Sequence, residues 1–354
     1  LIHFTEFRYY PFKEFVIKKA CLIIILSALL LSFALVLSSC SQAATPGYWF
    51  AGDVHLHTTH TDGQHTVDEM AQAAIDAGLD FIIVTDHDTL RPLEDINSAN
   101  MTYDDFLVML GVEITQDWGH FVAYNVSYLP YEINEKMRES PWEAQEAIDG
   151  LLEHNPDALI FLAHPLFPNF PWDYPDTEGF HGIETWNSYD NRSYDHPDSV
   201  SAFAWWDELN NDGRRILSTA VSDAHRRDYI GSTRIHVYAP SLEEDSIIAA
   251  IRNGTYYGTN GPELTFSAGN TMMGGSHRVG RGTNSVSLTV GGSYTSNITQ
   301  ANLIVNGDIE HTWFPNEAEF SDTHTIEVSR GDFARLEIFA DGNHFAFSNP
   351  IWFD

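Results

Sequence analysis

Two cysteines are all that the 354 residues contain. They are Cys21 and Cys40, both within the first forty positions. The body that follows therefore has no disulfide framework, no thiolate zinc site and no cysteine nucleophile. Positive charge is equally scarce. Lys and Arg together number 18 against 50 Asp and Glu, for a formal net charge of −32. After Lys19 the only lysine is Lys136. A chain this acidic repels a phosphate backbone, so a nucleic-acid partner is not expected. Internal repeats and long low-complexity tracts are also absent. What is plentiful is apolar surface: 43% of residues are hydrophobic and 13% aromatic, which excludes global disorder and allows a sizeable core. The acids are spread along the chain and read as a solvated surface rather than a tail. The length suits one large domain and a small one.

The start of the chain reads as an address. Lys13, Lys18 and Lys19 precede an apolar run, Ala20–Leu37, and then Leu37-Ser38-Ser39-Cys40. A basic segment, an apolar segment and small residues before a cleavage point make a secretory signal over residues 1–39. The Leu-Ser-Ser-Cys ending resembles a bacterial lipobox, which implies lipid attachment at Cys40 and an exported, membrane-anchored protein at the periplasmic or cell surface. A transmembrane anchor is the alternative, because the run is just long enough to span a bilayer. The basic segment is long and opens on Leu, so the start of translation is expected further along.

Residues 40–47 form a short linker, and from Tyr48 strands and helices alternate. Tyr48–Val54, Phe81–Val84, Leu107–Leu110, Leu159–Ala163, Gly182–Thr185 and Ile216–Val221 are short apolar runs of the kind buried on both faces. Helices are expected over Val67–Ala77, with Thr66 and Glu69 as a capping box, and near Pro141–His154, Ser199–Asn210 and Ser241–Asn253, the last capped by Ser241. This alternation predicts a parallel α/β fold, in particular a barrel, over 48–261. After Pro262 short β-like runs separated by Gly-rich turns predict a small all-β, sandwich-like domain over 262–354.

The chemistry follows the strands. His55 and His57 come after the first, Asp86 and His87 after the second, and Glu113 and His120 after the third. His164 follows the fourth, and Asp223 and His225 the last. Carboxyl ends of parallel strands form one face, so these groups should meet. The i, i+2 spacing of His55 with His57, and of Asp223 with His225, puts both side chains of each pair on one side of an extended segment. Mixed imidazole and carboxylate donors suit zinc, manganese or iron and argue against calcium. There are too many for one ion, so two or three divalent cations are expected, with Glu113 between them. The remaining histidines, His154, His181, His196, His236, His277, His311, His324 and His344, are expected to be structural or on the surface. Asp53 is expected to orient the histidine pair. Asp86 and Asp88 are candidates for support or proton transfer, and Glu184 and Asn187 for the pocket lining.

The ordered set Asp53-Val-His55-Leu-His57-Thr58, Thr61-Asp62-Gly63, Thr85-Asp86-His87, Gly111-Val-Glu113, Gly119-His120, Ala163-His164-Pro165 and Ser222-Asp223-Ala-His225 resembles the motifs of the PHP (polymerase and histidinol phosphatase) superfamily over roughly residues 50–260. The segments Ile251–Pro262 and Ser348–Ile351 resemble its carbaryl-hydrolase-like branch. The resemblance implies a distorted seven-stranded (β/α) barrel holding up to three metals. It implies His55, His57, Glu113 and Asp223 at one, Glu113, His120 and His164 at a second, and Asp62, His87 and His225 at a third. His65 is the alternative to Asp62.

Clustered cations would lower the pKa of a bound water toward ~7. The resulting hydroxide is the expected nucleophile, with Glu113 and Asp223 as the catalytic carboxylates and Asp223 or a nearby Asp as proton carrier. The expected activity is phosphoester hydrolysis of a small-molecule ester. Carboxyl-ester or carbamate hydrolysis is the alternative, and a surface binding protein with a structural metal site is the third reading. Arg192, Arg227 and Asn260 are the candidate substrate contacts.

Overall fold

Burial of continuous apolar runs decides the architecture. In the computed structural model, which describes residues 47–130, 143–189 and 192–354, strand β2 (Phe81–Val84) is buried at all four positions. It lies between β1 (Tyr48–Asp53) and β3 (Leu107–Gln116) and is parallel to both. The leader and Cys40 lie outside the described residues, as does the expected start of a helix at Pro141.

The all-parallel expectation is corrected beyond Leu110. Strand β3 continues to Gln116 and turns at Gly119, whose φ of +127° lies in a region that glycine tolerates. It then pairs antiparallel with β4 (Gly119–Tyr124), which in turn runs antiparallel to β5 (Leu159–Ala163). Parallel order resumes through β6 (Gly182–Asn187) and β7 (Leu217–Val221). On the other side of β1, β8 (Arg234–Ala239) and β9 (Tyr256–Thr259) are antiparallel additions. The result is a mixed α/β sheet. Just past their ends, β1 and β7 meet through a single parallel bridge, with the His57 N–H donating to the Ala224 carbonyl at 2.9 Å.

Helices cover the sheet where amphipathic spacing allows. Helix α1 (Val67–Asp76) begins with the expected capping box between Thr66 and Glu69 and buries Val67, Met70, Ala71 and Ala74. Helix α2 (Leu93–Thr102) was not anticipated. Only Ile96 and Ala99 are buried in it, too few to leave an apolar period in the sequence. Helices α3 (Ala144–His154) and α4 (Pro197–Asn211) fall close to expectation. Helix α5 (Glu244–Arg252) starts after Glu243, not at Ser241, whose hydroxyl instead meets the Glu243 and Ser246 side chains.

After the short strands β11 (Thr271–Met272) and β12 (Ser276–His277), the C-terminal β segment is dominated by β13 (Asn284–Val305), 22 residues that the sequence suggested were two strands. It bends between Ser293 and Ile298. Its first half pairs with β10 (Glu263–Ala268) and β15 (Glu317–Val328), and its second with β14 (Asp308–Trp313) and β16 (Phe333–Ala340). Leu264, Phe266, Leu288, Leu303, Leu336 and Ile338 are among the side chains filling its core. Residues 47–354 form one compact unit. Strand β17 (His344–Ser348) pairs with β9 and sends Phe345 and Phe347 among Trp186, Phe203 and Trp206. Arg335, 3% exposed, reaches Asp207 on α4 through two hydrogen bonds of 2.8 and 2.7 Å and donates to Glu337 at 2.6 Å.

Breaking such a pair strands a charge in the interior. Arg335→Met is expected to lower unfolding free energy by about 3–5 kcal/mol. Adding Asp207→Leu and Glu337→Gln, which remove both stranded carboxylates, should recover most of that, as read by urea denaturation.

Candidate metal centre

Local sequence places each ligand-type side chain on one end of the sheet. His55 and His57 extend from β1, and the turn after them folds back as the Gly63 N–H donates to the Thr58 carbonyl at 3.0 Å. A Cβ at Gly63 would stand 2.4 Å from the His57 carbonyl oxygen, so only glycine lets Asp62 return over the histidine pair. His87 follows β2, Glu113 lies within β3, His120 begins β4, and His164 follows β5. Asp223 and His225 follow β7. Three of the non-glycine residues with left-handed φ are here, Asp88 (+50°), His164 (+31°) and Asp223 (+51°). Each such backbone costs on the order of 1–3 kcal/mol and persists only where surrounding contacts enforce it.

The nine expected groups converge. His55 Nε2, His57 Nε2, Glu113 Oε2 and Asp223 Oδ1 face one point. His55 Nε2 is 3.2 Å from His57 Nε2, 3.4 Å from Glu113 Oε2 and 3.5 Å from Asp223 Oδ1. His57 Nε2 is 3.3 Å from Glu113 Oε2 and 3.2 Å from Asp223 Oδ1. Four donors arranged tetrahedrally about 2.0–2.1 Å from a zinc ion would stand roughly 3.4 Å apart. Glu113 Oε2 and Asp223 Oδ1 are buried without a hydrogen-bond partner, an arrangement that a cation explains and a purely structural cluster does not. The residues therefore fit a divalent transition ion.

Two further groups share these residues. Glu113 Oε1 is 3.0 Å from His120 Nδ1 and 3.2 Å from His164 Nε2. Asp62 Oδ2 is 3.4 Å from His87 Nε2 and 3.3 Å from His225 Nε2, with His57 adjoining them. His65 stands apart, its ring meeting the Arg227 N–H at 3.5 Å, so Asp62 is the residue brought into the cluster. His60 pairs with Asp95 at 2.8 Å.

Electrostatics make this a cation trap. Burial alone would raise the Glu113 pKa, but His55, His87 and His120 outweigh it and hold the carboxyl well below its usual range. Asp223 and Asp62 are likewise held low against burial, Asp223 chiefly by His55 and His57, Asp62 by hydrogen bonds to His225 and His87. Burial works against a proton on His87, yet Glu113 and Asp62 push its pKa up to about 10. His55 is raised in the same sense, by Glu184, Asp223 and Glu113. Carboxylates that hold protons on imidazoles this firmly would hold a metal ion in their place.

The supporting residues differ in part from expectation. Glu184 orients the histidines: its Oε1 meets His55 Nδ1 at 2.7 Å, while its Oε2 accepts from the His164 N–H at 2.9 Å and from Asn187 at 3.0 Å. Asn187 also donates to Asp223 Oδ2 at 3.1 Å. Asp53 meets the backbone N–H of His55 rather than either imidazole ring. It accepts from the Ser222 and Gly231 N–H groups at 3.2 and 2.9 Å, tying β1 to the end of β7, and burial raises its pKa to about 6. Asp86 secures the histidine loop by accepting from Thr58 N–H and Oγ1 and from Thr61 Oγ1. Asp88 accepts from the Thr115 N–H at 3.1 Å. A carboxylate within a short apolar strand was the signal for Glu184, but its partner His55, 129 residues away in sequence, could not be read from it.

A cavity of about 940 Å³ opens over the cluster. Arg192 lines it, with Nη1 donating to the Tyr189 carbonyl at 2.9 Å and the guanidinium 4.0 Å from the Phe167 ring centroid. Arg91 also lines it and was not anticipated. Two expected contacts are corrected. Arg227 points to solvent beside Asp228 and lies outside the lining. Asn260 accepts from the Phe345 N–H at 2.8 Å and secures β17, far from substrate duty.

Residues 53–164 match the sequence profile of the PHP domain. Residues 212–256 match a second profile, described as PHP-associated. Among curated proteins, the DNA polymerase/3′-5′ exonuclease PolX of Bacillus subtilis is 29% identical over 76 residues, 18% of this chain and 13% of that one. The chain thus spans a small fraction of that relative's length. Among solved structures, a two-domain protein containing a predicted PHP-like metal-dependent phosphoesterase from Bacteroides vulgatus is similar, with a TM-score of 0.47 and 16% identity, covering 83% of this chain and 91% of that one. The lesion-specific endonuclease PfuEndoQ of Pyrococcus furiosus has a TM-score of 0.41 and 15% identity, covering 59% and 56%. The PHP-domain match, together with the clustered His, Asp and Glu groups, supports a metal-dependent hydrolase.

Because Glu184 holds His55 and, through Asn187, Asp223, Glu184→Gln should weaken metal affinity by roughly 10–100-fold without unfolding the protein. Competitive titration with a chelating dye checks this, and unchanged affinity would contradict the role given to Glu184.

Proposed function

We propose that the protein is a metal-dependent phosphoesterase. The observation that carries the reading is Glu113, whose two oxygens face different ligand groups and so can bridge two cations at the floor of a cavity that also presents Arg91 and Arg192. When bound, divalent ions supply Lewis acidity and a water that ionises near neutral pH. The chain's own residues do the rest. Glu113 sets the spacing of the two groups. Glu184 and Asn187 fix the rings and carboxylate that face them. Arg192, clamped by Tyr189 and Phe167, offers a preset guanidinium to an anionic ester. Asp223 has Oδ1 on the cluster and Oδ2 on Asn187, so it is held ionised and aligned, and we assign it to ligation rather than to carrying a proton.

Hydrolysis of an aryl carbamate or carboxyl ester is the second reading. It is favoured by the phenyl rings of Phe167 and Phe170 in the cavity wall and by the resemblance to the carbaryl-hydrolase-like branch. A PHP-type barrel with a β-rich C-terminal domain, export, and attachment through a lipidated Cys40 belong to the same proposal.

Metal-loaded protein should hydrolyse p-nitrophenyl phosphate or bis-p-nitrophenyl phosphate. Glu113→Gln and His164→Ala should reduce turnover to background while far-UV circular dichroism stays unchanged. Turnover of naphthyl carbamate alone would favour the second reading. No turnover of any of the three would favour a binding protein.

A further inference from the structure

We propose that a second cavity, at the end of the sheet opposite the metal cluster, binds a small molecule carrying a carboxylate or phosphate group. The site needs no metal and is independent of the phosphoesterase reading. The cavity has a volume of about 840 Å³, within the range of small-molecule pockets. It lies where β6 and β7 begin, and His181 and Arg215, just before those strands, form one wall. Arg252 and Asn253, at the end of α5, form another. Residues 270–272 and 274–276 of the β-rich segment form the third, with Trp352 on β18 (Ile351–Phe353).

Charge sets the two cavities apart. Asp62, Asp88, Glu113 and Asp223 line the one over the metal cluster. In a chain of formal net charge −32, no Asp or Glu among the described residues lines the other, whereas two arginines do. Arg252 Nη2 donates to the Asp157 carbonyl at 2.5 Å, and among the described residues no carboxylate pairs with this guanidinium. Its charge is left for a ligand, and its remaining N–H groups can meet the two oxygens of a carboxylate or phosphate together. The helix end beside it presents few free acceptors to an anion. The carbonyls of Ala249, Ala250 and Ile251 already accept from the N–H groups of Asn253, Thr255 and Gly254.

The other walls add donors that are held in place. The Ile160 N–H donates to His181 Nδ1 at 3.2 Å, so the ring hydrogen sits on Nε2. Burial and the Arg252 charge bring the His181 pKa down to about 4, which keeps the ring in that neutral form near neutral pH. Arg215 has a φ of +55°, a backbone conformation that persists only where neighbours enforce it. Its Nη1 donates to Ser276 Oγ at 3.1 Å and its Nη2 to the Asp354 carboxylate, so it joins two walls. Asp354 shares the charge of Arg215, which leaves Arg252 as the main anchor. A Cβ at Gly274 would stand 2.2 Å from the Asn253 carbonyl oxygen, so only glycine lets the third wall cross the helix end so closely.

Isothermal titration of the metal-loaded protein with inorganic phosphate and with succinate tests the site, with p-nitrophenyl phosphate turnover followed in parallel. At least one of the two anions is expected to bind one-to-one in a way that Arg192→Gln, at the other cavity, leaves intact. Succinate alone identifies a carboxylate site and phosphate alone a phosphate site. Arg252→Gln removes the anchoring charge and Asn270→Asp adds an opposing one. Each should weaken that binding by about tenfold or more and leave turnover unchanged. Asn270 is exposed in the turn between β10 and β11, so Asn270→Asp reads the site even if Arg252→Gln unfolds. Binding of neither anion beyond what Arg192→Gln removes, or binding indifferent to both Arg252→Gln and Asn270→Asp, overturns the proposal. Binding as expected in a protein that hydrolyses no ester would overturn the phosphoesterase reading alone.

Discussion

Glu113 is a carboxylate 1% exposed to solvent with five imidazoles within 3.4 Å of it: His55, His57, His87, His120 and His164. Burying a charge in this way costs several kcal/mol unless it is matched by opposite charge. His55, His87 and His164, whose pKa values the neighbouring carboxylates raise, supply part of that match, and a pair of divalent cations would supply more of it. The sheet, the loops and the supporting hydrogen bonds are arranged around this requirement. Strands β1, β2 and β5 have to end, and β4 to begin, at the right height for the carboxylate on β3 to be reached from every side.

That constraint explains features which otherwise look unfavourable. Left-handed backbone at His164 and Asp223 aims both side chains at the cluster. Glu184, buried and apparently isolated in sequence, is needed because a ligating imidazole has to be locked by a bond at its other nitrogen, and His55 has it. The antiparallel excursion of β4 brings His120 opposite Thr115 and alongside Glu113, which a purely parallel order would not do. The aromatic loop after β5 then excludes water from the outer faces of His120 and His164.

Much of this was legible in the sequence. Short apolar runs with His, Asp or Glu just after them located the strands and the side chains that meet. All nine candidate ligands lie in the three groups of the structure or bridge them. The losses have physical causes. Gly111 and Glu113 interrupt the apolar run of β3, so its second half and the hairpin to β4 were invisible. Helix α2 buries too little to show a period. Asp53 looked like a histidine partner because it is near in sequence, whereas the partner, Glu184, is 129 residues away. Arg227 and Asn260 were chosen by residue type, and nothing local in a sequence says whether a side chain faces a cavity. Arg91 was missed for the same reason.

The central claim is that Glu113 sits between bound metal ions. Anomalous diffraction from crystals of the metal-loaded protein, collected on both sides of the absorption edge of the ion, tests it most directly. The account predicts at least two peaks, one ringed by His55, His57 and Asp223 and the other by His120 and His164, with Glu113 reaching both. Absence of anomalous density in that cluster, or a single peak that Glu113 does not touch, would contradict it.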